Sequence, residues 1–232
     1  FIENGKAVIS ADAGPCNEYI DSYVRANSNL PFDRDGALGK QGYLDRDLLQ
    51  KLFDFGRQFY ETALPKSGDP AYYHQADIFQ YVQNKKIDFT VALHTFEYFA
   101  AYIAVQALTL LAENIFIPQK FILFGGGWKN PLVRQYFADL LAGKGYVLPE
   151  HEQQFAALYK RMNGRPNIGY SNFGTYMEAR LFADMAYYKL TDRAWEIPET
   201  ERAGAKIISG IVAIPQSPQI HYSDCINRMA KK

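Results

Sequence analysis

Chemistry is first legible at Gly125-Gly126-Gly127, which leads into Trp128-Lys129-Asn130-Pro131. Three residues without a Cβ let a backbone lie flat against a nucleotide and aim its N–H groups at phosphate or ribose. The run has neither the GxGxxG spacing of dinucleotide folds nor the GK[ST] ending of a phosphate-loop ATPase, and tight strand-to-helix packing would use it equally. A carboxylate, Asp12, stands beside Gly14-Pro15 after an apolar run. There it can take a proton from a nucleophile or hold a metal-bound water, or simply cap a helix. Glu178 has Leu181 and Phe182 one turn ahead and Gly174 one turn behind, so no cation waits on its own helix. Such a carboxylate is paired across the core, protonated, or turned to a cleft. Lys66-Ser67, in a loop bounded by Pro65 and Pro70, could contact an anionic ligand or form a solvated turn.

These residues need elements to position them. Lys6 to Ser10 reads as a short buried strand delivering Asp12, and a helix over Cys16 to Ala26 follows the Gly-Pro stop. Ligands in open α/β sheets collect at strand carboxyl ends, where loops and helix N-termini supply donors. A polar loop from Asn27 to Gly42 precedes an amphipathic helix carrying Leu44, Leu48, Leu52, Phe55 and Phe59. The segment 65–70 breaks the pattern; a helix through Ile78 and Val82 follows, then a long one over Phe89 to Asn114. Lys120 to Phe124 is too short and apolar for anything but a strand; the glycines end it, and a helix resumes over Pro131 to Leu141. Tyr146-Val147-Leu148 could form another strand. Helices at about Glu150 to Met162 and Phe173 to Leu190 flank a Gly/Pro/Asn-rich stretch, Asn163 to Asn172.

Composition narrows the function classes. The 25 basic and 25 acidic side chains cancel, so no long-range field recruits nucleic acid or an anionic membrane. Cys16 and Cys225 form no CxxC pair, and His74, His94, His151 and His221 sit at no ligand spacing, which predicts no structural metal and fits a reducing cytoplasm. The apolar stretch Phe89 to Leu111 contains His94, Glu97 and Gln106, so it reads as a buried helix rather than a membrane span. The chain opens at Phe1 without a secretory signal and passes quickly into an apolar strand, which predicts a start inside a longer protein.

Taken in order, the segments resemble a known family. Asp12-Ala13-Gly14-Pro15-Cys16-Asn17, with Asp21 beyond, resembles the Asp-Thr-Gly-Pro-Gly-Asn…Asp motif of anhydro-N-acetylmuramic acid kinases, with Ala13 and Cys16 in place of the usual Thr and Gly. Asp33 to Gly36 resembles the Asp-and-Gly loop after it, and Pro65-Lys66-Ser67 the Pro-Lys-Ser segment. Gly125 to Pro131 resembles the Gly-Gly-Gly-x-x-Asn-Pro nucleotide loop, and Met177-Glu178-Ala179 with Phe182-Ala183 the Glu-Ala…Phe-Ala helix. The resemblance implies an α/β fold, an RNase H-like lobe of the actin/Hsp70/sugar-kinase architecture. This chain would be the C-terminal lobe, lacking the N-terminal lobe and its Asp-Gly-Thr-Ser-type phosphate loop. It implies ATP and Mg2+ as cofactors, a homodimer, and phosphorylation of O6 of 1,6-anhydro-N-acetylmuramic acid while water opens the anhydro bridge at C1 during cell-wall recycling. Asp12 would be the base; Glu178, Asn17 and Lys66 would bind the sugar; Gly125, Gly126, Gly127 and Asn130 would bind the nucleotide. Two other function classes compatible with these residues are a non-catalytic sugar- or nucleotide-binding module and a glycoside hydrolase using Asp12 and Glu178 as paired carboxylates.

Overall fold

The structure, a computed structural model, describes residues 2–3, 6–7, 9, 11–115, 117–162, 166–171, 177–191, 195–196 and 206–207. The chain divides into two compact units, one of Ser10–Gly174 and one of Phe1–Ile9 with Thr175–Lys232.

The larger unit is built around one apolar helix. Helices α1 (Glu18–Asn27), α2 (Arg46–Tyr60) and α3 (Gln75–Lys85) precede α4 (Phe89–Thr109), and α5 (Pro131–Leu141) and α6 (Glu152–Arg161) follow it. Helix α4 is apolar on nearly every side, the pattern of a helix buried all round. Helices α1, α2, α5 and α6 pack against it. Among the described residues it is the one helix long and apolar enough to cross a membrane, but 89% of its most apolar window is buried inside the protein, which makes it a core helix. Its start is set by Asp88, whose carboxylate accepts the Thr90 N–H at 2.8 Å. Helix α1 docks through aromatic contacts: Tyr23 meets Phe96 edge-on at 5.1 Å and stacks on Phe89 at 5.5 Å. Each such pair adds about 0.5–1.5 kcal/mol beyond its buried area. Asn17, just before α1, is thereby held against the core.

Strands β3 (Lys120–Phe124) and β4 (Asn167–Ser171) pair in parallel, with Lys120 opposite Asn167 and Phe124 opposite Ser171. Parallel neighbours need a crossover, and α5 with α6 supplies it. The strand β4 corrects the reading of Asn163 to Asn172 as irregular: its half-buried residues and Gly169 carry little strand signal, and pairing with β3 creates it. The reverse correction applies to Tyr146-Val147-Leu148, which pairs with no strand among the described residues. Hydroxyls on α4 satisfy that backbone instead, Tyr98 donating to the Tyr146 carbonyl at 2.7 Å and Tyr102 accepting the Leu148 N–H at 3.3 Å.

In the smaller unit, β1 (Ile2–Glu3) and β2 (Lys6–Ala7) form an antiparallel pair, α7 runs Met177–Leu190, and β5 (Trp195–Glu196) pairs with β6 (Lys206–Ile207). The strand expected over Lys6 to Ser10 is therefore a short hairpin arm, and Val8 and Ser10 lie outside the described residues, as do 173–176 at the expected start of α7. The two units together combine helices with a small parallel sheet, an α/β arrangement.

Candidate functional site

The glycine loop leaves β3 at Gly125, whose φ of 101° is open to glycine but not to residues with a Cβ. A short 3-10 turn over Gly127–Lys129 follows, and Asn130 then caps α5, its Oδ1 accepting the Leu132 N–H at 2.9 Å while Pro131 occupies the first turn. Among the described residues nothing lies within 4 Å of a Cβ built at Gly125 or Gly126. Gly127 is different: a Cβ there would come 2.7 Å from Asn17 Oδ1. Gly36, at φ 65°, brings the Asp33 turn equally close, where a Cβ would meet Asn130 Oδ1 at 2.6 Å.

These approaches enclose a cavity of about 440 Å³ lined by Asn17, Asp21, Asp33, Gly126, Gly127 and Asn130, with Arg34 and Lys129 also at its wall. That volume suits a small organic ligand. Asn17, expected at the sugar, lies instead against the glycine loop, where its Oδ1 is buried without a hydrogen-bond partner among the described residues and leaves an acceptor free. Burial also pushes the Asp21 carboxyl up, against the pull of Arg25. Lys129 and Arg34 offer cations to an anionic ligand; a Lys one residue before the Asn-Pro start of a helix was the sequence signal for the first. Asn130 is part of the wall, but its side chain is turned inward: Nδ2 donates to Glu97 Oε1 at 2.6 Å, so it shapes the cavity rather than reaching into it.

Asp12 belongs to a second cluster. Its N–H donates to the Lys66 carbonyl at 2.9 Å, and its carboxylate accepts the Gly68 N–H at 2.7 Å and the Ser67 hydroxyl at 3.4 Å. The acid is exposed, as a proton acceptor for solvent must be. Asp12 and Asn17 lie on one loop, so five residues of chain keep the two clusters within roughly 18 Å. Between them Cys16 takes a φ of 49°, the left-handed region that favours glycine.

Lys66 is engaged with the end of α2. Its ammonium is buried and donates to the carbonyls of Phe59 at 2.8 Å and Tyr60 at 2.9 Å, capping the C-terminal end of α2. Burial lowers its pKa to about 8. The side chain expected to hold substrate thus holds a helix end while also lining a second cavity, about 380 Å³, with Phe59, Ser67, Tyr72 and His74. Phe59 and Tyr72 stack there at 5.7 Å. Glu178 lies on α7 in the other compact unit, with its side chain outside the described residues. Phe182, expected beside it on an apolar face, is 64% exposed.

Sequence reasoning overlooked Glu97. It sits in mid α4 with no exposed surface, and its carboxyl is held up to about 8, chiefly by burial and further by the Asp33 charge. A lone carboxylate inside an apolar helix was the available signal.

The family model for anhydro-N-acetylmuramic acid kinase matches residues 1–161. A protein of that name from Methylorubrum extorquens is 27% identical over 93% of this chain and 49% of its own length. One from Xanthomonas oryzae pv. oryzae is 27% identical over 91% and 50%, and one from a Synechococcus species is 26% identical over 90% and 51%. The chain spans about half the length of the curated relatives it matches.

Proposed function

Because the chain belongs to the anhydro-N-acetylmuramic acid kinase family, we propose that it forms the C-terminal, RNase H-like lobe of a sugar kinase of the actin/Hsp70 type. In this reading the glycine-lined cavity takes ATP and the neighbouring Asp12 cluster takes the reacting end of a 1,6-anhydro-sugar. The observation that carries it is the convergence of Asn17, Gly126, Gly127, Asn130 and the Asp33 turn on one cavity, one short loop away from Asp12.

In the proposed reaction a water oxygen bonds to C1 of the sugar while the C1–O6 bond breaks. O6 bonds to the γ-phosphorus as the bond to the bridging oxygen of ADP breaks, and the water proton passes to Asp12. The Gly68 N–H and Ser67 hydroxyl orient the Asp12 carboxylate. A positioned base of this kind is worth about 10²–10⁴-fold. Gly125 and Gly126 leave backbone free for the nucleotide, and Lys129 and Arg34 offset phosphate charge. Among the described residues no group of three or more His, Cys, Asp or Glu gathers as a metal cage. The Mg2+ that a kinase implies would be carried mainly by the phosphates and their waters, where it neutralises developing charge. Glu178 is proposed as a sugar contact.

The test incubates the protein with ATP, Mg2+ and 1,6-anhydro-N-acetylmuramic acid in ¹⁸O-water and follows the sugar by mass spectrometry. ATP-dependent formation of a 6-phosphate carrying one ¹⁸O at C1 supports the reading. Ring opening without nucleotide refutes it in favour of glycoside hydrolysis; nucleotide binding with no conversion, even when an N-terminal kinase lobe is supplied, refutes it in favour of a binding module.

A further inference from the structure

We propose that Glu97 is a positioning residue for the nucleotide loop, fixing two walls of the glycine-lined cavity by holding Asn130 on one side and the Asp33–Gly39 turn on the other. The inference rests on reading that cavity as the nucleotide site.

On the first side, Glu97 Oε1 accepts from Asn130 Nδ2 at 2.6 Å, and Asn130 Oδ1 accepts the Leu132 N–H at 2.9 Å. Asn130 thus ties the middle of α4 to the first turn of α5, and the loop ends at this tie. On the second side, Gly39 presses on Glu97 so closely that a Cβ would fall 1.8 Å from Oε2. The same turn is drawn together by Asp33, 5% exposed, whose carboxylate accepts the N–H groups of Leu38 at 3.0 Å and Gly39 at 2.8 Å. His94, one turn earlier on α4, reinforces it: Nδ1 lies 2.8 Å from the Gly39 carbonyl, and Nε2 2.7 Å from the Tyr136 hydroxyl of α5.

Glu97 Oε2 is buried with no hydrogen-bond partner among the described residues, and the neighbouring polar group is another carboxylate. Two carboxylates repel; one proton between them makes a donor–acceptor pair. With its proton, Glu97 accepts from Asn130 and donates towards Asp33, closing both walls. Among the described residues the charged and titratable groups around it are Asp33 and Lys40 on the turn, His94 on α4 and Tyr136 on α5. Lys40 and Asn130 favour the ionised form but are outweighed by burial and Asp33. Loss of the proton places a second negative charge in the closed pocket and pushes the turn from α4. A glutamine at this position keeps one acceptor and one donor at every pH; a leucine keeps the bulk and leaves Asn130 Nδ2 and Asp33 without their partner.

The experiment compares the wild type with Glu97→Gln and Glu97→Leu by hydrogen exchange of segments 33–41 and 125–134 at about pH 7 and pH 9, corrected for intrinsic rate, and by calorimetric titration with Mg-ADP. Circular dichroism checks folding. The expected result is about tenfold weaker protection and ADP affinity in Glu97→Leu at both pH values and in the wild type only at the higher, with Glu97→Gln unchanged throughout. Wild type and Glu97→Gln responding alike to pH would overturn the proposal even if Glu97→Leu fails to fold. ADP affinity equal in all three proteins at both pH values would overturn it as well. The exchange pattern without ADP binding to any of them supports the positioning role and overturns the nucleotide reading instead.

Discussion

Replacing Glu97 by Gln should make the protein more stable, by an amount that grows with pH. The carboxyl has its pKa raised in the folded state from its ordinary value of 4.5 to about 8, because it is fully buried and faces Asp33. The folded chain therefore keeps a proton that the unfolded chain has released. Stability from this group is complete below the unfolded pKa, falls as pH rises, and is lost once pH passes the folded pKa. One proton changes stability by about 1.4 kcal/mol per pH unit. Between about pH 5.5 and pH 8.5, protonation of the unfolded chain and ionisation of the folded one remove little of that slope except at the upper end, leaving a change of about 3 kcal/mol. The glutamine variant has no such term. Urea denaturation of both proteins across this range, with the slope m held common, should show the stability difference moving by about 3 kcal/mol in favour of Glu97→Gln as pH rises. A difference that stays constant with pH would refute the argument, because it would mean that Glu97 is ionised in the folded protein throughout.

Other outcomes follow from the same geometry. Cys16→Gly should stabilise the chain by about 0.5–1 kcal/mol in urea denaturation, the left-handed penalty at φ 49° less the entropy glycine loses on folding. Gly36→Ala should cost about 2 kcal/mol, since it combines a φ of 65° with a Cβ 2.6 Å from Asn130 Oδ1. Lys66 has its pKa lowered to about 8 from 10.5, so the unfolded chain binds more protons between those values. Wild-type stability should accordingly rise with pH across that window relative to Lys66→Met, measured by thermal melts. Asp12→Asn should lower turnover of the anhydro-sugar by about 10²–10⁴-fold in a coupled ADP-release assay while moving the melting temperature little, because the amide oxygen can still accept the Gly68 N–H.

Local chemistry was the legible part of this molecule. Lys120 to Phe124, Gly125 to Gly127 and the run from Pro131 announce a strand, a glycine loop and a helix, and the structure has all three. The glycines were readable alone, Asn17 and Asn130 only through the family resemblance, and the cavity that joins them is a property of packing, which Gly36 and Gly127 make possible by having no side chain. The helix-end role of Lys66 was not legible, because a cation in a Pro-bounded loop looks free until the carbonyls of a helix end are placed beside it. Strand β4 was missed because β3 supplies its partner from more than forty residues away. Glu97 was read only as a residue unsuited to a membrane; its role depends on Asn130 and Asp33, which the fold brings to it from two other elements.

The most direct test of the central claim is calorimetric titration of Mg-ADP into the wild type and into Gly127→Val, whose branched side chain would occupy the space against Asn17 Oδ1. The account predicts saturable binding at one site in the wild type and its loss in the variant, with both proteins folded. Absence of binding to the wild type, or equal affinity in the two proteins, would contradict the assignment of the glycine-lined cavity as the nucleotide site.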